Sequence, residues 1–502
     1  MAPVGLIDLA PEILVLIFSH FCSHCQYGKI NEIPEYNTVQ DFQNQAALAA
    51  MCLTHSSIRS IAQPILHHFF VLNATNLTKM QNKILQPRVA SFIRTLAQRP
   101  DLGKSVRALD LHPMVHTYDS WKTMITPDIW KSLPEETYAR FAGNAEIARS
   151  ITLRHVDGRA ANFGVTSVIL LSLAPDLEYL VYEVGSFQRM LDLVQPPMTK
   201  LRVLYPIRTS QHMLVGHKLG NLFRLFPKIQ ALLASSATIN CAHHFDSHSD
   251  QPKVCHHRPW EIFPQSLRKI SWDSVSITTL GRIFDHCPLQ DLELSVYINQ
   301  NWAWELVAPP GGAFENLRAT LRRLVVTSQF SRYVSKPEEF EVVTAPDGLV
   351  ARAHLSLRQL KRLEILEIDQ LYLHAELRSH TEYSAQQLSA VFPESLKALH
   401  VGYVVAWSPL KVQLQDLVRA RSSGRLKSLS IVQADFWSSD TRESNGDDIA
   451  NITATLASVG IRFFVGIASR TSRSLFPPPL GIPDALHRRI EFTLNDMPRQ
   501  IS

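Results

Sequence analysis

A short phrase, Leu-x-x-Leu-x-apolar, recurs along this 502-residue chain and restricts its folding more than any other feature. The copies are Leu177-x-x-Leu180-x-Tyr182, Leu267-x-x-Ile270-x-Trp272, Leu289-x-x-Leu292-x-Leu294, Leu321-x-x-Leu324-x-Val326, Leu363-x-x-Leu366-x-Ile368, Leu396-x-x-Leu399-x-Val401 and Leu426-x-x-Leu429-x-Ile431. Val106-x-x-Leu109-x-Leu111 and Leu201-x-x-Leu204 are weaker copies. The last two apolar positions stand one residue apart, as a short strand with one buried face requires, and the leading leucine closes the turn into it. Several copies follow an apolar residue and a proline: Ala174-Pro175, Phe226-Pro227, Phe263-Pro264, Cys287-Pro288 and Phe392-Pro393. Proline cannot continue a helix and biases the residue before it towards extended angles, so each unit reads helix, stop, strand. Such units, at intervals of very roughly 22 to 42 residues, predict an α/β solenoid with a parallel sheet and helices along its outside.

A chain of this length is too long for one compact core, and a small domain joined to an elongated array satisfies the length. The hydrophobic fraction of 45% and charged fraction of 19% belong to an ordinary folded protein. A net charge of +5 is too small a field for phosphate recognition, so no nucleic-acid partner is expected. Six cysteines are too few for a disulfide scaffold of this size and fit a reducing compartment. The apolar N-terminus has no basic leader and carries Asp8 and Glu12, and nothing approaches the roughly 20 apolar residues of a membrane span. The expected location is intracellular, with cytoplasm and nucleus undistinguished because no dense basic cluster marks nuclear import.

Ahead of the array, Ile7 to Phe21 read IDLAPEILVLIFSHF. Asp8 is a candidate cap, Pro11 and Glu12 suit a first helical turn, and the next turns are apolar nearly all round. Such a helix must be covered on more than one side, by a neighbouring domain or by a partner. A polar stretch at 23–44 reads as an inserted loop, and helical spacing resumes over Ala46 to Leu66, interrupted at Thr54-His55-Ser56-Ser57, where another helix is capped. Three short helices result.

This arrangement resembles the F-box, in which Leu-Pro-x-Glu opens an aliphatic helix containing Ile-Phe and two small helices follow a loop. Leu9, Pro11, Glu12, Ile13, Ile17 and Phe18 match the first part, and Leu48, Leu53, Ile58, Ile61 and Pro64 the second; Ala10 stands where the family usually has proline. The likeness is to fungal members, and the array behind it resembles the irregular leucine-rich repeats that follow many F-boxes. The resemblance implies a non-catalytic adaptor: the helical module docks on a Skp-family linker and through it a cullin, while the repeats hold a protein substrate for ubiquitin transfer. Leu9, Pro11, Ile13, Ile17, Phe18, Leu48 and Leu53 are then the linker-binding residues. The expected organisation is an F-box module at 1–70, a helical linker at 71–105, a repeat domain at 106–470 and a Pro-containing tail at 471–502.

Rival readings are a repeat-based binding scaffold without ubiquitin transfer, and an enzyme with a divergent, metal-dependent site. Cys241, His243, His244, Cys255, His256 and His257 crowd one loop with zinc-type ligands, but their spacing matches no finger pattern, and a solvated polar loop is the simpler account. Cys22-x-x-Cys25, flanked by His20 and His24, resembles half a zinc or redox site, but with no second pair nearby these read as buried or loop cysteines. Leu102-Gly103-Lys104-Ser105 lacks the upstream glycine of a phosphate loop, and no nucleophile has an identifiable base. Trp302-x-Trp304 suits either a core strand or an interface. No cofactor is expected.

Overall fold

The computed structural model describes residues 5–22, 24–25, 39–71, 79–111, 127–142, 158–183, 197–207, 222–234, 264–273, 287–296, 315–328, 357–373, 388–404, 406–436 and 442–467. The chain forms two compact units, 1–234 with 240–266 and 235–239 with 267–502. Both are α/β, with parallel strands laid side by side in chain order, the plan that the recurring phrase predicts. Among the described residues no helix is long and apolar enough to cross a membrane.

The first unit opens with three helices, α1 (Pro11–Ser19), α2 (Val39–Thr54) and α3 (Ser56–Leu66). Proline is tolerated at the start of α1, where its missing N–H would have no helical partner. Asp8, expected to cap this helix, instead closes the preceding turn, where its Oδ2 accepts the Gly5 N–H at 2.8 Å. α2 begins at Val39, so the inserted loop ends sooner than position 44. The break before α3 is where capping was expected, and His55 serves as the cap: its extended backbone leaves the ring to accept the Ser57 N–H at 3.3 Å. Leu14, Phe18, Cys22, Leu48, Cys52, Ile58, Ala62 and Ile65 form the core of this module.

The sheet of this unit runs β1 (Phe69–Val71), β2 (Ala108–Leu111), β3 (Tyr179–Glu183), β4 (Val203–Ile207) and β5 (Ala231–Ala234), all parallel. It thus begins immediately after α3, ahead of the first recurring phrase. Phe70, Leu109, Leu180, Leu204 and Leu232 share one register and are all buried. Three residues upstream, Val106, Leu177, Leu201 and Ile229 are also buried, so β2 to β5 each bring a matched pair of apolar side chains to the interior, while β1 has the half-buried His67 at that position. Tyr179, Val181, Val203, Tyr205, Ala231 and Leu233, which alternate with them, are buried too, as parallel strands covered on both faces require.

α4 (Lys79–Gln98) joins the helical module to this sheet. Phe92 on α4 stacks on Phe70 of β1 with centroids 4.0 Å apart, and Arg88 donates to Gln45 of α2 at 2.7 Å. α5 (Gly158–Leu173) stops ahead of Ala174-Pro175, as the proline rule requires. Gly103 ends the short helix Pro100–Gly103 beside the Leu173 carbonyl, and a Cβ there would overlap that oxygen. The glycine of Leu102-Gly103-Lys104-Ser105 therefore serves backbone packing. Gly103→Ala is expected to lower stability by about 1–3 kcal/mol through overpacking against main chain; an unchanged denaturant midpoint would refute the close approach.

The second unit lays down β6 (Lys269–Asp273), β7 (Asp291–Val296), β8 (Arg323–Ser328), β9 (Ile365–Asp369), β10 (Ala398–Val404), β11 (Ile431–Phe436) and β12 (Arg462–Ile467), again parallel. Ile270, Leu292, Leu324, Leu366, Leu399, Val432 and Phe463 align across it, with Leu267, Leu289, Leu321, Leu363, Leu396 and Leu429 three residues earlier, all buried. This corrects one copy of the phrase: β11 uses Leu429-x-x-Val432-x-Ala434. Leu426 lies at a φ of 47°, in the turn that follows α6 (Trp407–Ser422). The array closes with α7 (Gly446–Ser458), whose first turn carries Asp447 and Asp448, and β12 after it.

Candidate functional site

α1 has more apolar surface than its own module covers. Leu14 and Phe18, one turn apart, point into the module core with Ile17 half-buried beside them. Ile13, Val15 and Leu16 occupy the remaining arc and stand 45%, 44% and 67% exposed. Leu6 and Ile7 in the preceding turn are exposed as well, and so is Leu53 at the end of α2. Of nine large apolar side chains exposed among the described residues, these six belong to the helical module, whereas only Tyr138, Val412 and Ile467 lie elsewhere. Scattered single exposures are ordinary, but a concentration on one helix marks an interaction surface.

The residues assigned to linker binding from sequence divide accordingly. Pro11, Ile13 and Leu53 are on the surface, and Leu9 and Ile17 are half-buried against the core. Phe18 and Leu48 are 0% and 1% exposed, so they build the module and touch no partner directly. Val15 and Leu16 are exposed as well, and the motif does not single them out, because on an all-apolar helix no residue type separates the inward face from the outward one.

A second grouping forms where α1 meets the sheet. Cys22, His24, Cys25 and His68 each bring one ligand-type atom within 4.8 Å of all the others. Cys25 Sγ lies 3.2 Å from His68 Nδ1 and 4.0 Å from His24 Nδ1, and the two imidazoles meet edge to face with centroids 5.7 Å apart. The pairing of Cys25 with Cys22, aided by hydrogen bonds to His24 and His68, holds the Cys25 thiol far below the usual thiol range against its burial. The same pairing, with burial, pushes the Cys22 proton up. The half site read from Cys22-x-x-Cys25 thus has its second pair, one member adjacent in sequence and the other 43 residues away. The six candidate ligands of the His-rich loop, and Trp302 and Trp304, lie outside the described residues.

No protein-family model matches the chain, and no curated protein matches it.

In the second unit the strand face opposite the leucines holds charge. Lys269, Asp291 and Arg323 stand in register on β6, β7 and β8, with Lys269 Nζ 3.4 Å and Arg323 Nη1 3.0 Å from the Asp291 carboxylate. Two residues along, Glu293 lies 3.7 Å from Arg323. On β10, His400 reaches Glu367 of β9 at 3.4 Å and Asp435 of β11 at 3.0 Å. Burial raises the Glu293 carboxyl to about 7 despite Arg323 and Lys269. Burial works against Asp291 too, but the same two cations hold its carboxyl below the usual range. Burial alone would lower His400; Asp435 and Glu367 outweigh it and lift the imidazole to about 10. Each cation here is matched to acids on neighbouring strands, an arrangement that supports strand pairing.

Proposed function

We propose that the chain is an F-box-type adaptor that docks on a Skp-family linker through the exposed face of α1 and presents its repeats to a target protein for cullin-dependent ubiquitin transfer. The observation that carries this reading is the outward apolar arc of Ile13, Val15 and Leu16, continued by Leu6 and Ile7, on a module whose inward face is already filled. Each such side chain gains about 1.5–3 kcal/mol when a partner covers it fully. The order of Pro11, Glu12 and the aliphatic helix, with two small helices after a loop, supports the same family reading. Catalysis in this scheme belongs to other subunits, and the adaptor contributes proximity, holding target lysines near a charged ubiquitin carrier.

The test is co-purification of the full chain with a Skp-family linker, comparing wild type with an Ile13→Asp, Leu16→Asp double variant. Both positions are exposed, so the variant is expected to keep its thermal unfolding profile and lose the linker. A folded wild type that fails to capture the linker would overturn the adaptor reading, and so would a folded variant that captures it as well as wild type does.

A further inference from the structure

We propose that Cys22, His24, Cys25 and His68 bind one zinc ion, which ties the end of α1 to the start of β1. Two thiols and two imidazoles are the soft and borderline donors that select zinc, and four protein ligands leave no open position, which makes the site structural. Tetrahedral zinc with these donors needs ligand edges of about 3.3–3.8 Å. The 3.2 Å between Cys25 Sγ and His68 Nδ1 already has that scale, and the remaining atoms, all within 4.8 Å, need to close by about 1 Å.

The scaffold holds these side chains from independent directions. The Cys22 N–H donates to the Ser19 carbonyl at 3.1 Å in the last turn of α1, and Cys22 is buried in the module core. The His68 N–H donates to Ile65 at the end of α3, and the His68 carbonyl accepts from Arg107 and Ala108 at the start of β2. A ligand whose main chain is pinned at both donor and acceptor is pre-positioned, as metal ligands generally are. On binding, both cysteines coordinate as thiolates, any remaining thiol protons pass to solvent, and the neutral imidazoles coordinate through nitrogen. Two thiolates then balance the two charges of the ion.

The inference does not depend on the adaptor reading, because its test reads metal content. Zinc is measured by elemental analysis in the full chain, purified without chelator, and cobalt is then exchanged into the site. About one zinc per chain is expected in the wild type, with the intense visible bands of tetrahedral cobalt and thiolate-to-metal charge transfer in the exchanged form. Cys25→Ser and His68→Gln are expected to reduce the metal to less than about a tenth of that value. Cys241→Ser with Cys255→Ser, in the His-rich loop, is expected to leave both metal and spectrum unchanged. This loop variant is decisive even where the module variants fail to fold. Metal lost only in the loop variant, or a metal-free chain with a Cys22–Cys25 disulfide by mass spectrometry, would overturn the proposal.

Discussion

Replacing Phe18 by alanine is expected to unfold the helical module, while the same truncation at Leu16, less than one helical turn away, leaves it folded. Phe18 is fully buried among Leu14, Leu48, Cys52, Ile58, Ala62 and Ile65, whereas Leu16 is 67% exposed. Removing a buried phenylalanine costs about 3–5 kcal/mol, lost transfer and cavity terms together. A module of three short helices has little reserve against that, since small cores bury a smaller fraction of their surface. Leu16→Ala removes a contact with water and should change stability by less than about 0.5 kcal/mol. Limited proteolysis around α1 and thermal unfolding followed by circular dichroism separate the cases. Equal losses in the two variants would mean that the inward face of α1 is misassigned. Linker binding lost in the Phe18 variant would be a consequence of unfolding and would say nothing of contact.

The second large effect concerns pH. In the unfolded chain the His400 imidazole releases its proton near 6.5, while in the folded chain Asp435 and Glu367 keep it bound to about 10. The folded state therefore holds more protons across that interval. Its contribution to stability is complete below 6.5 and is lost as pH rises through about 10, on the order of a few kcal/mol in all. Glu293 acts in the same sense at lower pH: its carboxyl titrates near 4.5 when unfolded and about 7 when folded, so its contribution disappears over that range. Measured against pH, the thermal midpoint of His400→Gln should lose less than that of the wild type across the upper window, while the two curves keep the same slope across the lower one. An unchanged upper slope in His400→Gln would show that the proton sits elsewhere.

The strands were legible because the phrase that builds them is written in one residue type at a constant spacing. Leu177 and Leu180, or Leu289 and Leu292, are buried because both positions of that spacing face the interior. The phrase failed where its composition drifted: Ile229-x-x-Leu232 and His67-x-x-Phe70 lead into β5 and β1 without the leading leucine. At Leu426 two apolar triplets overlap at the same spacing, and the positive φ of that residue chooses between them. The helical module was legible as three helices, but the choice between Leu14 with Phe18 and Ile13 with Leu16 as the buried pair rests on where α2 and α3 pack. The Cys/His grouping was half legible, since Cys22, His24 and Cys25 are neighbours. His68 joins them only because α3 ends at Leu66 and the chain turns into β1.

The parallel ladder also bears on how such a chain tolerates change in length. In the first unit Ala108 pairs with Tyr179, 71 residues on, while Tyr179 pairs with Val203, only 24 residues on, yet both pairs keep the same register. Closing a loop roughly three times as long costs only about 1 kcal/mol more, because the entropy grows with the logarithm of length. Segments between strands can therefore grow or shrink by whole helices at little cost to the sheet. An ancestral array of even turns could diversify by insertion, one crossover at a time, without its neighbouring strands being redesigned.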